Sequence, residues 1–210
     1  MVDLTDITTL EHPPLVPEIA LNVGNAPIGE MWRDILDVEA PPYWLYPWVG
    51  GQALARWTLD NSGEFTGRTV LDFGAGTGLN GISAGLAGAS TVYFVDEFDL
   101  SRQLCASNWE LNVLNPHRME IGDTLPSRFT DIDIVLIGDC FYELELAEYV
   151  KSFTDQALRN GCRVLVGDPG REYLPRRRVK RLGKYTVPET WALEKRASMP
   201  AYAFELISNG

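Results

Sequence analysis

The stretch VLDFGAGTGLNG, Val70 to Gly81, passes from an apolar β-branched segment directly into a turn with four glycines. A glycine-rich turn between a strand and a helix removes Cβ atoms where a ligand must come close. It also aims the free N–H groups of the helix start at negative charge. Two patterns overlap in these letters. Gly76, Gly78 and Gly81 satisfy G-x-G-x-x-G, the dinucleotide pattern, whereas a frame opened at Asp72 gives D-x-G-x-G-x-G.

Outward from this stretch the chain alternates. RTVLDF, TVYFVD, RMEI, DIDIVLIGD and CRVLVGDP are short runs with strand character, and LNGISAGLAG, LSRQLCASNWELNVL and LELAEYVKSFTDQALRN are helical segments between them. Near-continuously apolar strands alternating with helices imply a mostly parallel sheet with helices on both faces. KYTVPE and AYAFELIS add antiparallel strands at the C-terminus. Upstream, residues 1–27 read as loop, IGEMWRDILDV and GQALARWTLDN as helices. The expectation is an α/β, Rossmann-like single domain over 1–210, with an N-terminal loop and helical extension (1–65) and a core (66–210).

In such sheets ligands bind beyond the carboxyl ends of the strands, near the topological switch point. Asp72 and Gly74 close the first core strand, Asp96 the second, Asp123 follows the third, Asp139 ends the fourth and Asp168 the fifth. A lone aspartate in such a place is an ordinary cap or turn residue. Five on one rim describe a site.

Composition narrows the classes. At 210 residues, 45% hydrophobic and 22% charged, the chain can bury roughly 70% of its unfolded surface without staples. Its three cysteines, Cys105, Cys140 and Cys162, are odd in number and lie in apolar or helical stretches, which argues against a disulfide framework. Two histidines and no paired cysteine spacing give no zinc set. The acidic N-terminus lacks a signal-peptide pattern and no apolar run reaches about 18 residues, so the expectation is a cytoplasmic protein with no membrane contact. The net charge of −11 argues against nucleic acid as a partner, although residues 171–184 hold seven basic groups and one acid. That run is expected either as a solvated face or as one wall of the entrance to the site.

The acids also discriminate between cofactors. Asp96, 22 positions after Gly74, suits ribose hydroxyls in NAD and in S-adenosylmethionine alike. Asp72 does not: a carboxylate there repels a pyrophosphate and attracts a sulfonium and an amino group. An acidic rim therefore fits the cationic cofactor.

VLDFGAGTG resembles motif I of the seven-strand S-adenosylmethionine-dependent methyltransferases. PEIAL, YPWVGGQALARW, NWELN, IGDCFYELELA and LVGDPGR, in that order, extend the likeness over Pro17–Arg171. In combination they resemble the lysine methyltransferases that modify the β subunit of electron transfer flavoprotein. The resemblance implies that Gly74, Ala75 and Gly76 line the methionine part of S-adenosylmethionine, Asp96 the ribose and Asp123 the adenine edge. Asp72 and Gly138 fall in the same cofactor-binding set, and Trp48 covers the cofactor. It further places Asp139 and Tyr142, in D-x-x-Y, at the acceptor amine, so the implied partner is a protein lysine, with the flavoprotein β subunit as the candidate.

Methyl transfer needs a neutral nucleophile aligned with the methyl carbon and little acid–base machinery. A lysine amine, which in water titrates at about pH 10.4, must first lose a proton, and desolvation assists that loss. Asp139 is expected to orient it and Tyr142 to offer an aromatic face. Phe141 and Cys140 are expected to pack. Other readings of the sequence are a small-molecule or peptide natural-product methyltransferase, an NAD-linked oxidoreductase, and a silent cofactor-binding protein.

Overall fold

The computed structural model describes residues 3–36, 41–112, 114–115, 118–123, 129, 131–188 and 197–208. A short helix α1 (Leu4–Ile7) leads into an antiparallel hairpin of β1 (Thr8–Glu11) and β2 (Leu21–Gly24), followed by α2 (Ala26–Leu36), a single 3-10 turn over Tyr43–Leu45 and α3 (Val49–Asp60). The core then runs β3 (Thr69–Phe73), α4 (Leu79–Leu86), β4 (Thr91–Val95), α5 (Asp99–Leu111), β5 (Met119–Gly122), β6 (Ile134–Gly138), α6 (Leu144–Arg159), β7 (Arg163–Asp168), β8 (Val179–Pro188) and β9 (Ser198–Leu206).

The seven-stranded sheet has the order β5-β4-β3-β6-β7-β9-β8, parallel except for β9, which pairs antiparallel with both β7 and β8. From β3 the chain steps outward through β4 to β5 and then crosses back to β6. The crevice between β3 and β6 is therefore the switch point.

Period-2 alternation assigns the faces. Val70 of β3, Ile134 and Leu136 of β6 and Leu165 of β7 share one buried cluster with Leu54 of α3, Ile82 of α4 and Trp109 of α5. Their neighbours Leu71, Val135, Ile137, Val164 and Val166 share the other with Val150 and Phe153 of α6. Parity puts Asp72, Gly138 and Gly167 on the first face, under α3 and α4. Two of the glycines are there for clearance. A Cβ on Gly138 would stand 2.4 Å from Asn80 Nδ2, and one on Gly167 would stand 2.1 Å from the carbonyl oxygen of Gly50.

Two features differ from the sequence reading. The first 27 residues hold α1 and a β-hairpin as well as loop, because α5 supplies what no local signal announces. Asn112 accepts the Ala20 N–H and donates to the Ala20 carbonyl, and Asn108 does the same for Asn22. Beyond Arg171 the basic run descends from the rim, where one wall of the entrance was one of the two expectations. Register puts Val179 opposite Leu206, which faces Val164 near the start of β7, so Arg178 lies at the amino-terminal end of the strands. Arg178 Nη2 donates to Asp155 at 2.5 Å, and Arg176 Nη2 donates to the Gly170 carbonyl at 2.8 Å. The cation that returns to rim level is Lys184, in line with Tyr202 and Asp168.

Candidate active site

The sheet order sets the carboxyl-terminal aspartates side by side: Asp123 after β5, then Asp96, Asp72, Asp139 and Asp168. Asp123 is exposed; the other four are buried. Their combined field is visible at Cys140, whose thiol is raised first by burial and then by all four buried carboxylates. A phosphate would meet repulsion there and a cation attraction.

Gly74 and Gly76 shape the turn after β3 with φ of +60° and +55°, in the left-handed region that a side chain resists. Gly74 is open to solvent, Gly76 half-buried and Ala75 buried. Asp96 braces this turn, accepting the Gly76 N–H on Oδ2 and the Phe98 N–H on Oδ1, both at 3.0 Å. Each carboxylate oxygen has a second lone pair, which leaves acceptor capacity for ribose hydroxyls. From the other side Ser101 and Cys105 of α5 donate to the Gly76 carbonyl and Asn108 to that of Thr77.

Asp72 lies below the turn. It is fully buried, accepts the Gly81 N–H in the first turn of α4 at 2.8 Å, and its Oδ1 has no hydrogen-bond partner. Burial holds its carboxyl well above the usual aspartate range, with Asp96 adding to the rise. The later glycines of the dinucleotide pattern are consumed by packing. A Cβ on Gly81 would sit 2.2 Å from the Phe94 ring, and one on Gly78 would touch Phe94 and Cys105.

At the other side of the switch point Asp139 takes a left-handed φ of 59°, the one non-glycine residue to do so among those described. Its side chain, 2% exposed, accepts the Gly50 N–H on Oδ2 at 3.0 Å and Arg171 Nε on Oδ1 at 2.7 Å. Gly50 lies in the first turn of α3, so this carboxylate sits at a positive helix end. Asp168, wholly buried, accepts the N–H groups of Gly170 and Arg171 on Oδ1. Burial and the Asp139 charge push its pKa up to about 7.

Aromatic side chains frame the mouth. Trp48 donates its indole N–H to the Tyr43 carbonyl at 2.8 Å, and the Tyr43 ring meets both Trp48 and Tyr142 edge-on at 5.7 Å. Tyr142 is 43% exposed, and burial of the remainder pushes its hydroxyl up to about 12. Phe141 is fully buried and packs, as expected. Trp48, Asp139 and Tyr142 lie together, linked through Tyr43 and Arg171. Tyr43, Gly50 and Arg171 join them without having been singled out, although Gly50 and Arg171 lie in the GGQAL and GDPGR stretches.

A cavity of about 540 Å³ lined by Arg68, Asp133, Asn160 and Arg163 lies where β3, β6 and β7 begin, at the opposite end of the sheet. Arg68–Asp133 and Arg163–Glu64 pairs neutralise its walls.

A family model described as "Lysine methyltransferase" matches residues 46–173, which carry the glycine turn, the rim aspartates, Trp48 and Tyr142. The chain belongs to this lysine methyltransferase family. The electron transfer flavoprotein beta subunit lysine methyltransferase of Rattus norvegicus is 35% identical over 83% of this chain and 71% of its own length. That of Danio rerio is 34% identical over 90% and 75%, and the homolog of Caenorhabditis elegans 31% over 95% and 92%. Among solved structures, the SMU.776 methyltransferase complexed with SAH superposes with a TM-score of 0.60 at 13% identity, covering 95% of this chain and 56% of that one. The magnesium protoporphyrin IX methyltransferase of Synechocystis with bound SAH gives 0.51 at 12% identity, over 86% and 96%. The structural likenesses concern the fold. The family assigns the reaction: this lysine methyltransferase is an S-adenosylmethionine-dependent enzyme acting on protein lysine, and the NAD-linked reading is set aside. Among the described residues, no helix of the lysine methyltransferase is long and apolar enough to cross a membrane.

Proposed function

We propose that the acceptor lysine enters through the Tyr43–Trp48–Tyr142 frame and presents its amine to Asp139, and that the acceptor protein is the β subunit of electron transfer flavoprotein. The observation that carries this reading is the buried Asp139 carboxylate beneath exposed aromatic edges. The names of the relatives support the choice of protein.

The residues fit S-adenosylmethionine. Gly74 and Gly76 give its methionine part a close backbone, Asp96 retains acceptor capacity for the ribose, exposed Asp123 borders the adenine end, and Trp48 can cover the methyl. Asp72 shapes the turn from below through its bond to the Gly81 N–H; Gly138 lets Asn80 and Gly51 close in beside it. When bound, the cofactor supplies an electrophilic methyl group on a sulfonium. Asp139 then orients the amine nitrogen, and desolvation within the aromatic frame favours the neutral amine, whose proton passes to bulk water as the side chain enters.

The test is incubation of the purified chain with labelled S-adenosylmethionine and purified electron transfer flavoprotein, followed by peptide mass mapping. Methylated lysine in the β subunit is expected. Labelling confined to other proteins or to small molecules overturns the acceptor assignment.

A further inference from the structure

Asp139 and Trp48 already hold a cation. Arg171 Nε donates to Asp139 Oδ1 at 2.7 Å, and its guanidinium carbon lies 6.0 Å from the centroid of the Trp48 ring. An acid and an aromatic face are also what a lysine ammonium requires. We propose that Arg171 is an internal stand-in for the acceptor cation: it occupies the acceptor position until a substrate lysine displaces it. The inference rests on the proposed role of Asp139 and adds to it how the site is kept closed.

Three observations favour a displaceable occupant over a fixed brace. The pair is asymmetric, with the Asp139 side chain 2% exposed and that of Arg171 23% exposed, so an amine approaching from solvent meets Arg171 first. Arg171 is anchored independently of the pair. Its N–H donates to Asp168 Oδ1 at 2.7 Å and its carbonyl accepts from Arg176 at 3.2 Å, so the backbone can stay while the side chain swings. Asp139 has its second oxygen fixed by the Gly50 N–H, so it keeps its orientation when Arg171 leaves.

The exchange has a physical logic. A carboxylate this deeply buried is costly without a counter-charge, so the site is stable only with a cation in it. Arg171 supplies that charge at rest and a lysine supplies it during binding. A free ammonium in bulk solution must compete with a tethered guanidinium, which reduces its apparent affinity by the fraction of time the site is open. Only an acceptor with further contacts on the enzyme surface overcomes that competition, which selects lysines in a docked protein over free amines.

The experiment uses the whole chain with S-adenosylhomocysteine bound and two probes, n-butylammonium as the lysine side-chain mimic and ethylguanidinium as the arginine mimic, with Kd measured by calorimetry. Arg171→Gln is expected to bind both probes about tenfold or more tightly than the unaltered chain. Ethylguanidinium should also inhibit methylation by the variant competitively with the acceptor. Arg171→Met repeats the measurement without a polar replacement, and unchanged S-adenosylhomocysteine affinity reports an intact fold. Probe affinities no tighter in either variant, together with a lower kcat and unchanged KM, would show that Arg171 is a fixed partner of Asp139 and overturn the inference. Failure of the underlying reading looks different: Asp139→Asn would then retain turnover whatever the probes do.

Discussion

The Gly50 N–H and Asp139 Oδ2 stand 3.0 Å apart across 89 residues of sequence, fastening the start of α3 to the end of β6. This bond makes the Asp139 carboxylate a fixed feature of the rim. Asp139→Asn keeps an oxygen for Gly50 and removes the charge. It is expected to lower kcat by about two orders of magnitude, a loss typical of a misdirected positioning group, while S-adenosylmethionine binds nearly unchanged. Single-turnover assay and calorimetry, side by side, check both parts.

Asp96 carries two loads, the Gly76 turn and, in our reading, the ribose. Asp96→Ala is expected to weaken S-adenosylmethionine binding by roughly 2 kcal/mol, the scale of lost charged hydrogen bonds. Calorimetric affinity equal to that of the unaltered protein would remove Asp96 from the cofactor site.

Asp168 gives a pH dependence. Its pKa is about 7 in the folded protein against 3.8 for an ordinary aspartate. The folded state therefore binds more protons than the unfolded state between these values, and stability falls as pH rises from about 4 to about 7. Asp168→Asn, which keeps an acceptor for Gly170 and Arg171, should flatten that decline. Urea unfolding at pH 5 and pH 7.5 reads it directly; parallel declines in the two proteins would contradict the buried proton.

Gly81 separates packing from ligand contact. Its missing Cβ leaves room for the Phe94 ring, which is 1% exposed and packed edge-on against Trp109 at 5.7 Å. Gly81→Ala is expected to cost about 1–3 kcal/mol of stability through overpacking. An unaltered denaturation midpoint with weaker cofactor binding would place Gly81 in the ligand site instead.

Lys184 is the cation of the basic run that returns to rim level. If the acceptor presents its lysine among carboxylates, Lys184→Glu should raise KM severalfold at low salt and much less at 0.5 M, because a surface charge acts only within the Debye length. A salt-independent change in KM would point to direct contact rather than steering.

The sheet was legible because its strands are continuous apolar runs between helices of evident period, and the rim followed from which residue ends each strand. Asp139, Tyr142 and Trp48 were reachable through motifs. Arg171 ends the LVGDPGR motif, but its pairing was hidden, since a cation at the head of a basic run looks solvated and its carboxylate partner lies 32 residues upstream. Tyr43 sits in a loop after two prolines, where no periodicity marks a face. The hairpin of β1 and β2 escaped for a related reason: its four-residue strands are held by Asn108 and Asn112 from a helix more than 80 residues away.

Those two asparagines tie the N-terminal segment to the glycine turn. Asn108 Nδ2 donates both to the Asn22 carbonyl and to that of Thr77, so one amide group spans from β2 to the glycine turn after β3. PEIAL and NWELN, which look unrelated in the sequence, are two halves of a single clasp. Removing residues 3–25 deletes no atom of the site, yet it frees one end of the strut that steadies Thr77. The backbone amides around Gly76 and Gly78 should then exchange with solvent faster, as a shelf loosens when a bolt is drawn from the far side of its bracket.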